Sequence, residues 1–145
     1  MTRSTTDIAT ALDSLRASDF DFMQSDADGI DRLQDLCEEL KAHSVRGVAP
    51  LLFGLLERLD GSDLGSPGPI VHSLESMSGY EPFLAESLSR KPTALSVWMA
   101  NRILNARRPD RVEWLARLKC VASSPTASSE AKAEAQEFLV FQNEA

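Results

Sequence analysis

Apolar residues return every three or four positions along most of this chain, and proline or glycine interrupts them at short intervals. That period matches the helical turn, so each segment can bury one side and wet the other. Runs of β-branched residues alternating with polar ones between turn signals, the mark of strands, are missing. The chain is therefore expected to be all-α, with about seven or eight short antiparallel helices. Brief connections leave two architectures open, a HEAT-like array of helix hairpins or a compact bundle. A length of 145 residues suits one domain. Residues 1–145 are thus expected to form a single helical domain, with a loop over 60–69 separating an acidic N-terminal part from C-terminal hairpins.

The pattern predicts a first helix from about Thr6 to Ala17, capped by Ser4, Thr5 or Thr6 and burying Ile8, Leu12 and Leu15. A second runs from about Asp28 to His43 and sets Ile30, Leu33, Leu36, Cys37 and Leu40 on one face. The third, Val45 to Leu59, carries a broad apolar surface of Val48, Leu51, Leu52, Leu55, Leu56 and Leu59, with Pro50 expected in its tolerant first turn. DGSDLGSPGP, Asp60 to Pro69, reads as loop, since three glycines and two prolines in ten positions oppose a helix. Beyond it, Pro69, Pro82, Pro92 and Pro109 are expected to open helices ending near Ser78, Arg90, Ala106 and Ser123. A last helix, capped by Ser128, should reach Phe141. The segment from Leu95 to Leu104 is apolar almost all round and is expected between neighbours.

Charge narrows the function. Between Asp19 and Glu39 lie eight acids and a single base, Arg32, which accounts for the whole net charge of −7. Such a patch repels nucleic acid and attracts basic surfaces. No run approaches the ~18 apolar residues of a membrane span, and MTRSTTDIATAL lacks the apolar stretch of a secretory signal. Cys37 and Cys120 stand 83 positions apart, which suggests a reducing compartment with both thiols in or near the core. A cytoplasmic location is expected.

The residues of common catalytic and metal sites do not assemble in the sequence. His43 and His72 have no second ligand at signature spacing. Gln24–Asp35 places Asp26, Asp28 and Gly29 like a calcium loop, but Gln24, Asp31 and Asp35 stand where a first Asp, an apolar residue and a bidentate Glu belong. The plainer reading is an acidic, capped helix start. No nucleophile elbow occurs, and the Gly61–Gly68 loop lacks the lysine of a phosphate-binding loop. No enzymatic activity, cofactor or metal is expected.

The remaining candidates suit contact with a protein. Asp28, Asp31, Asp35, Glu38 and Glu39 lie nearly opposite the apolar face of the second helix. On the fourth helix His72 and Glu75 sit together, away from Ile70, Leu74 and Met77. On the sixth, Trp98, Asn101, Arg102 and Asn105 share a face, and Trp and Arg are common anchors at interfaces.

Three pieces between Leu64 and Asn105 add a likeness: GSPGPIVHSLE at Gly65–Glu75, GYE at Gly79–Glu81, and RKPTALSVWMANRILN at Arg90–Asn105. This stretch resembles small all-helical bacterial immunity proteins of contact-dependent inhibition and other polymorphic toxin systems. The resemblance covers less than a third of the chain. It implies a cytoplasmic protein that binds the toxin domain of its genetic neighbour and covers its active site, without cofactor or enzymatic role. A basic toxin, such as a nuclease, would suit the acidic helix. The competing readings are a helical-repeat scaffold or adaptor binding other proteins, and a helical enzyme with an unrecognised site. Oligomeric state is left open by the apolar third and sixth helices.

Overall fold

The structure, a computed structural model, describes residues 3–21, 23–24, 26–65 and 67–144. Ser25 and Ser66, inside the acidic segment and the glycine-rich loop, lie outside the described residues, as do Met1 and Thr2 at the start. Among the described residues there are eight α-helices and no strand. They are α1 (Thr5–Asp13), α2 (Gly29–Leu40), α3 (Val45–Arg58), α4 (Gly68–Glu75), α5 (Glu81–Arg90), α6 (Ala94–Asn105), α7 (Arg111–Ala122) and α8 (Ser129–Glu144), with a 3-10 turn over Ala17–Phe20 after α1. The chain divides into two compact units, one ending at Tyr80 and the other beginning at Glu81, so the 60–69 loop lies inside the first.

In the first unit α1 and α4 each pack against both α2 and α3. Ile8, Leu12 and Leu15 are buried, as the spacing predicts, and Ser4 caps α1 by accepting from the Asp7 N–H at 3.1 Å. The helix stops at Asp13, short of the expected Ala17. Arg58, in the last turn of α3, donates to the Leu12 and Leu15 carbonyls at 3.0 and 2.9 Å, so a side chain satisfies the end that a further turn would have satisfied. From α2 come Leu33, Leu36, Cys37 and Leu40; from α3 Val48, Leu52, Phe53, Leu55 and Leu56; from α4 Ile70, Val71 and Leu74. Burying each such aliphatic side chain is worth about 1.5–3 kcal/mol. Gly29 opens α2 because nothing larger fits: a Cβ there would stand 2.6 Å from the Asp19 carbonyl oxygen and 2.8 Å from the Phe20 ring.

Several sequence expectations shift. Leu51 and Ile30 are only half-buried, and Phe53 takes a central place instead. Pro50 lies in the second turn of α3, not the first, on an exposed side of the helix, and offers no N–H to the Arg46 carbonyl four residues before it. The glycine-rich loop ends at Pro67, since Gly68 and Pro69 are already helical. Gly65 holds φ +104°, and a Cβ there would meet Gly68 Cα at 2.4 Å, so that turn is closed to other residues.

In the second unit α7 packs on α5, α6 and α8, and α8 also touches α6, which makes a small bundle. The prolines act differently from expectation here. Pro69 and Pro82 are second helical residues, but Pro92 and Pro109 precede the helices altogether. Thr93 is the true start of α6: its hydroxyl accepts from the Ser96 N–H at 3.1 Å and its own N–H donates to Ser96 Oγ at 2.9 Å. Ser128 caps α8 as expected, accepting from the Ala131 N–H at 3.1 Å. That helix runs past Phe141 to Glu144. Cys37 is buried but Cys120 is exposed, which corrects the placing of both thiols near the core: Cys120 falls on the outer face of α7, away from Trp114, Leu118 and Val121.

Candidate functional site

The acidic candidates belong to the first unit. Leu33, Leu36, Cys37 and Leu40 fix the roll of α2, and the same period puts Asp31, Asp35 and Glu38 together on its exposed side. Asp31 and Asp35 pair with no cation among the described residues, while Glu38 meets Lys41 at 2.8 Å. The ends of the series are drawn elsewhere. Asp28 occupies the cap position of α2 without a capping hydrogen bond and lies 3.5 Å from Arg32, which also reaches Asp19 at 3.5 Å. Glu39 receives both arms of Arg3, at 2.7 and 2.6 Å, and the hydrogen bond from that guanidinium holds its carboxyl below the usual range. The stripe left facing a partner is thus Asp31 and Asp35, continued by Glu38, which shares its charge with the exposed Lys41. Burial pushes the Cys37 thiol behind it up, against a smaller opposing pull from Ser73, and so favours the neutral thiol packed in the core.

On α4, His72 is exposed and Glu75 half-buried beside Ile70, Val71 and Leu74 in the core. The four candidates on α6 do share a region of the second unit, but they divide by role. Arg102 stacks on Trp98, 4.9 Å from the ring centroid, and Trp98 is half-buried. Asn101 is 8% exposed. It and Asn105 each accept, through Oδ1, from Gln142 Nε2 of α8, at 2.7 and 2.8 Å. Arg111 of α7 completes the network, donating to Gln142 Oε1 at 3.0 Å, to the Gln142 carbonyl at 3.2 Å and to the Leu104 carbonyl at 3.2 Å.

Beside that network runs a shallow, open groove of about 880 Å³ between α6 and α8, with Asn101, Asn105, Glu137, Val140 and Phe141 among its walls. Val140 and Phe141 are 58% and 55% exposed. Sequence reasoning missed Gln142 and this groove. A signal was present: Phe138 to Phe141 is a run of four apolar residues, and successive residues on a helix turn by about 100°, so the run cannot all face one core.

A second cluster also escaped notice. Arg108 donates to Glu81 Oε2 at 2.9 Å and to Asp110 Oδ2 at 3.0 Å, and the Trp114 indole N–H adds a bond to Asp110 Oδ2 at 3.0 Å. Burial pulls the Asp110 carboxyl upward, but the Trp114 and Arg108 contacts together outweigh it and leave it below its ordinary value. Arg117 lies over the Trp114 ring, 4.4 Å from its centroid. A carboxylate held ionised in this way ties the starts of α5 and α7 together; it does not suit a general acid.

Among the described residues no three of His, Cys, Asp and Glu are placed to hold one metal ion, and no helix is long and apolar enough to cross a membrane. Comparison with family models, curated proteins and solved structures returns no match.

Proposed function

We propose that this chain is an immunity protein that binds a basic bacterial toxin domain and neutralises it by protein–protein contact. The observation that supports the reading is the stripe of Asp31, Asp35 and Glu38 on α2, exposed as a row in which Glu38 meets Lys41 and the two aspartates meet no cation among the described residues. A row of carboxylates on a helix whose other face is anchored in a core has its backbone preorganised, so binding costs the ordering of side chains alone. Nuclease surfaces that hold phosphates are basic, and an acidic helix can occupy them in place of the substrate. Charge of this kind also speeds encounter, raising association rates by about 10–10³-fold at low salt.

The test is capture of partners by the full chain from a lysate of its source organism, followed by kinetics on the isolated pair. One stoichiometric toxin-like domain is expected, with an association rate that falls as salt rises. The triple variant Asp31→Lys, Asp35→Lys, Glu38→Lys should slow association more than tenfold and lose protection of toxin-expressing cells. Unchanged rate and protection would sink the proposal. The groove on the second unit favours a second reading, a helical scaffold that binds peptide segments.

A further inference from the structure

Arginine has only donors, and this fixes the direction of the whole network around Gln142. Because Arg111 donates to Gln142 Oε1, the other end of that amide must be the NH₂ group, and it donates to two acceptors. Those acceptors must be the oxygens of Asn101 and Asn105. Each asparagine therefore spends its oxygen on Gln142 and keeps its Nδ2 donors, which bond to nothing among the described residues. Both side chains line the α6/α8 groove.

Asn101 and Asn105 are one helical turn apart, so their Cβ atoms are separated by about 5–6 Å. Two residues of an extended chain rise about 6.6 Å, which brings alternate carbonyls to nearly the same spacing. A helix offers no such row, since its carbonyls are already bonded within it. The opposite wall carries Val140 and Phe141, which want an apolar side chain, and Glu137, the one charged residue among the described lining. α8 holds four glutamates and one lysine, so a second copy laid on the same groove would meet its own charge.

We infer that the α6/α8 groove binds an extended peptide segment of another protein: two alternate main-chain carbonyls accept from Asn101 and Asn105, an apolar side chain packs on Val140 and Phe141, and a flanking Lys or Arg faces Glu137. This site lies on the second unit and stands or falls apart from the acidic stripe of α2.

A random linear peptide library displayed on phage, selected against the full chain, tests it. Enriched sequences should pair an apolar residue with a Lys or Arg, and synthetic copies should bind at least tenfold more weakly to Phe141→Ser and to Glu137→Lys. Both residues are exposed, so thermal melts of these variants should stay at the wild-type temperature. The discriminating variant is Asn105→Asp. It keeps an oxygen for Gln142, removes the donor and adds negative charge. If the donor matters, basic peptides bind at least tenfold more weakly; if charge alone draws them, affinity holds or rises, and the inference is overturned. It is equally overturned by no enrichment, by clones indifferent to Phe141→Ser, or by sedimentation showing a dimer that Phe141→Ser dissolves.

Discussion

In the first unit the interior is filled by large aliphatic side chains and charge is kept outside; in the second, a polar network runs through the layer where α6, α7 and α8 meet. α3 alone sends Val48, Leu52, Phe53, Leu55 and Leu56 inward. α8, by contrast, buries Ala131, Ala135 and Gln142, and leaves Val140 and Phe141 more than half exposed. The first arrangement is held by area removed from water, which is tolerant of direction. The second is held in part by hydrogen bonds that must all be made together, and a network of that kind fixes register as well as stability. It follows that the two units should fail differently when cut.

The largest effect belongs to the first unit. Phe53→Ala removes a side chain that is 1% exposed and leaves a void among leucines. A loss of about 3–5 kcal/mol is expected, read from urea denaturation. If the loss were below about 1 kcal/mol, the core around α3 would be far looser than its burial states. In the second unit the matching cut is Gln142→Ala. It takes no large apolar area away, yet strands the Asn101 oxygen and part of the Arg111 fork. About 1–3 kcal/mol is expected, with hydrogen exchange accelerated along the C-terminal half of α8 and not in α2. Uniform acceleration across both units would show that the contrast drawn between them is wrong.

That contrast also explains what could be read from the sequence. Ile8, Leu12 and Leu15 on α1, and Leu33, Leu36, Cys37 and Leu40 on α2, follow from the helical period alone, because a single face must be buried against something. The same rolling of α2 exposes Asp31, Asp35 and Glu38, so that candidate stripe was legible too. Periodicity names a face but not its neighbour. Asn101 and Asn105 were placed on a common face, yet the residue that claims their oxygens lies 41 and 37 positions later. Pro92 and Pro109 misled for a local reason. Proline is as compatible with the residues before a cap as with the first turn; after Pro92 the Thr93–Ser96 capping box offered the stronger start, while after Pro109 the helix begins beyond Asp110 without a side-chain cap.

Acid should separate the units by a smaller margin. Glu39 and Asp110 both titrate below their ordinary values, Glu39 through its hydrogen bond with Arg3, and Asp110 despite burial, through Trp114 and Arg108. A carboxyl whose folded value lies below its unfolded one stabilises the fold above the unfolded value. That stability drains as pH falls through the folded value. Melting temperatures of Glu39→Gln and Asp110→Asn should therefore lie below wild type near neutral pH, and meet it once the pH is well below the ordinary carboxylate range near 4. Salt should shrink both differences, since both carboxyls are partly exposed, but the Asp110 one less, because the neutral Trp114 indole supplies part of what holds that carboxylate. Equal salt sensitivity would mean that the Trp114 hydrogen bond adds little to the ionised form of Asp110.

The smallest effect runs the other way. Arg107 follows the end of α6 with φ +53°, the one non-glycine in the left-handed region among the described residues, and its N–H closes the turn on the Leu104 carbonyl at 3.1 Å. A side chain there strains against its own backbone, and glycine is the usual solution at this position after a helix. Arg107 is exposed, so its replacement removes no packing. Arg107→Gly should stabilise the chain by about 0.5–1 kcal/mol, the relief of strain exceeding the greater freedom of the unfolded glycine. The gain should reach the second unit alone, slowing hydrogen exchange at the end of α6 while α1 to α4 keep their rates. A loss of stability would show instead that the Arg107 side chain makes a contact worth more than the strain it imposes.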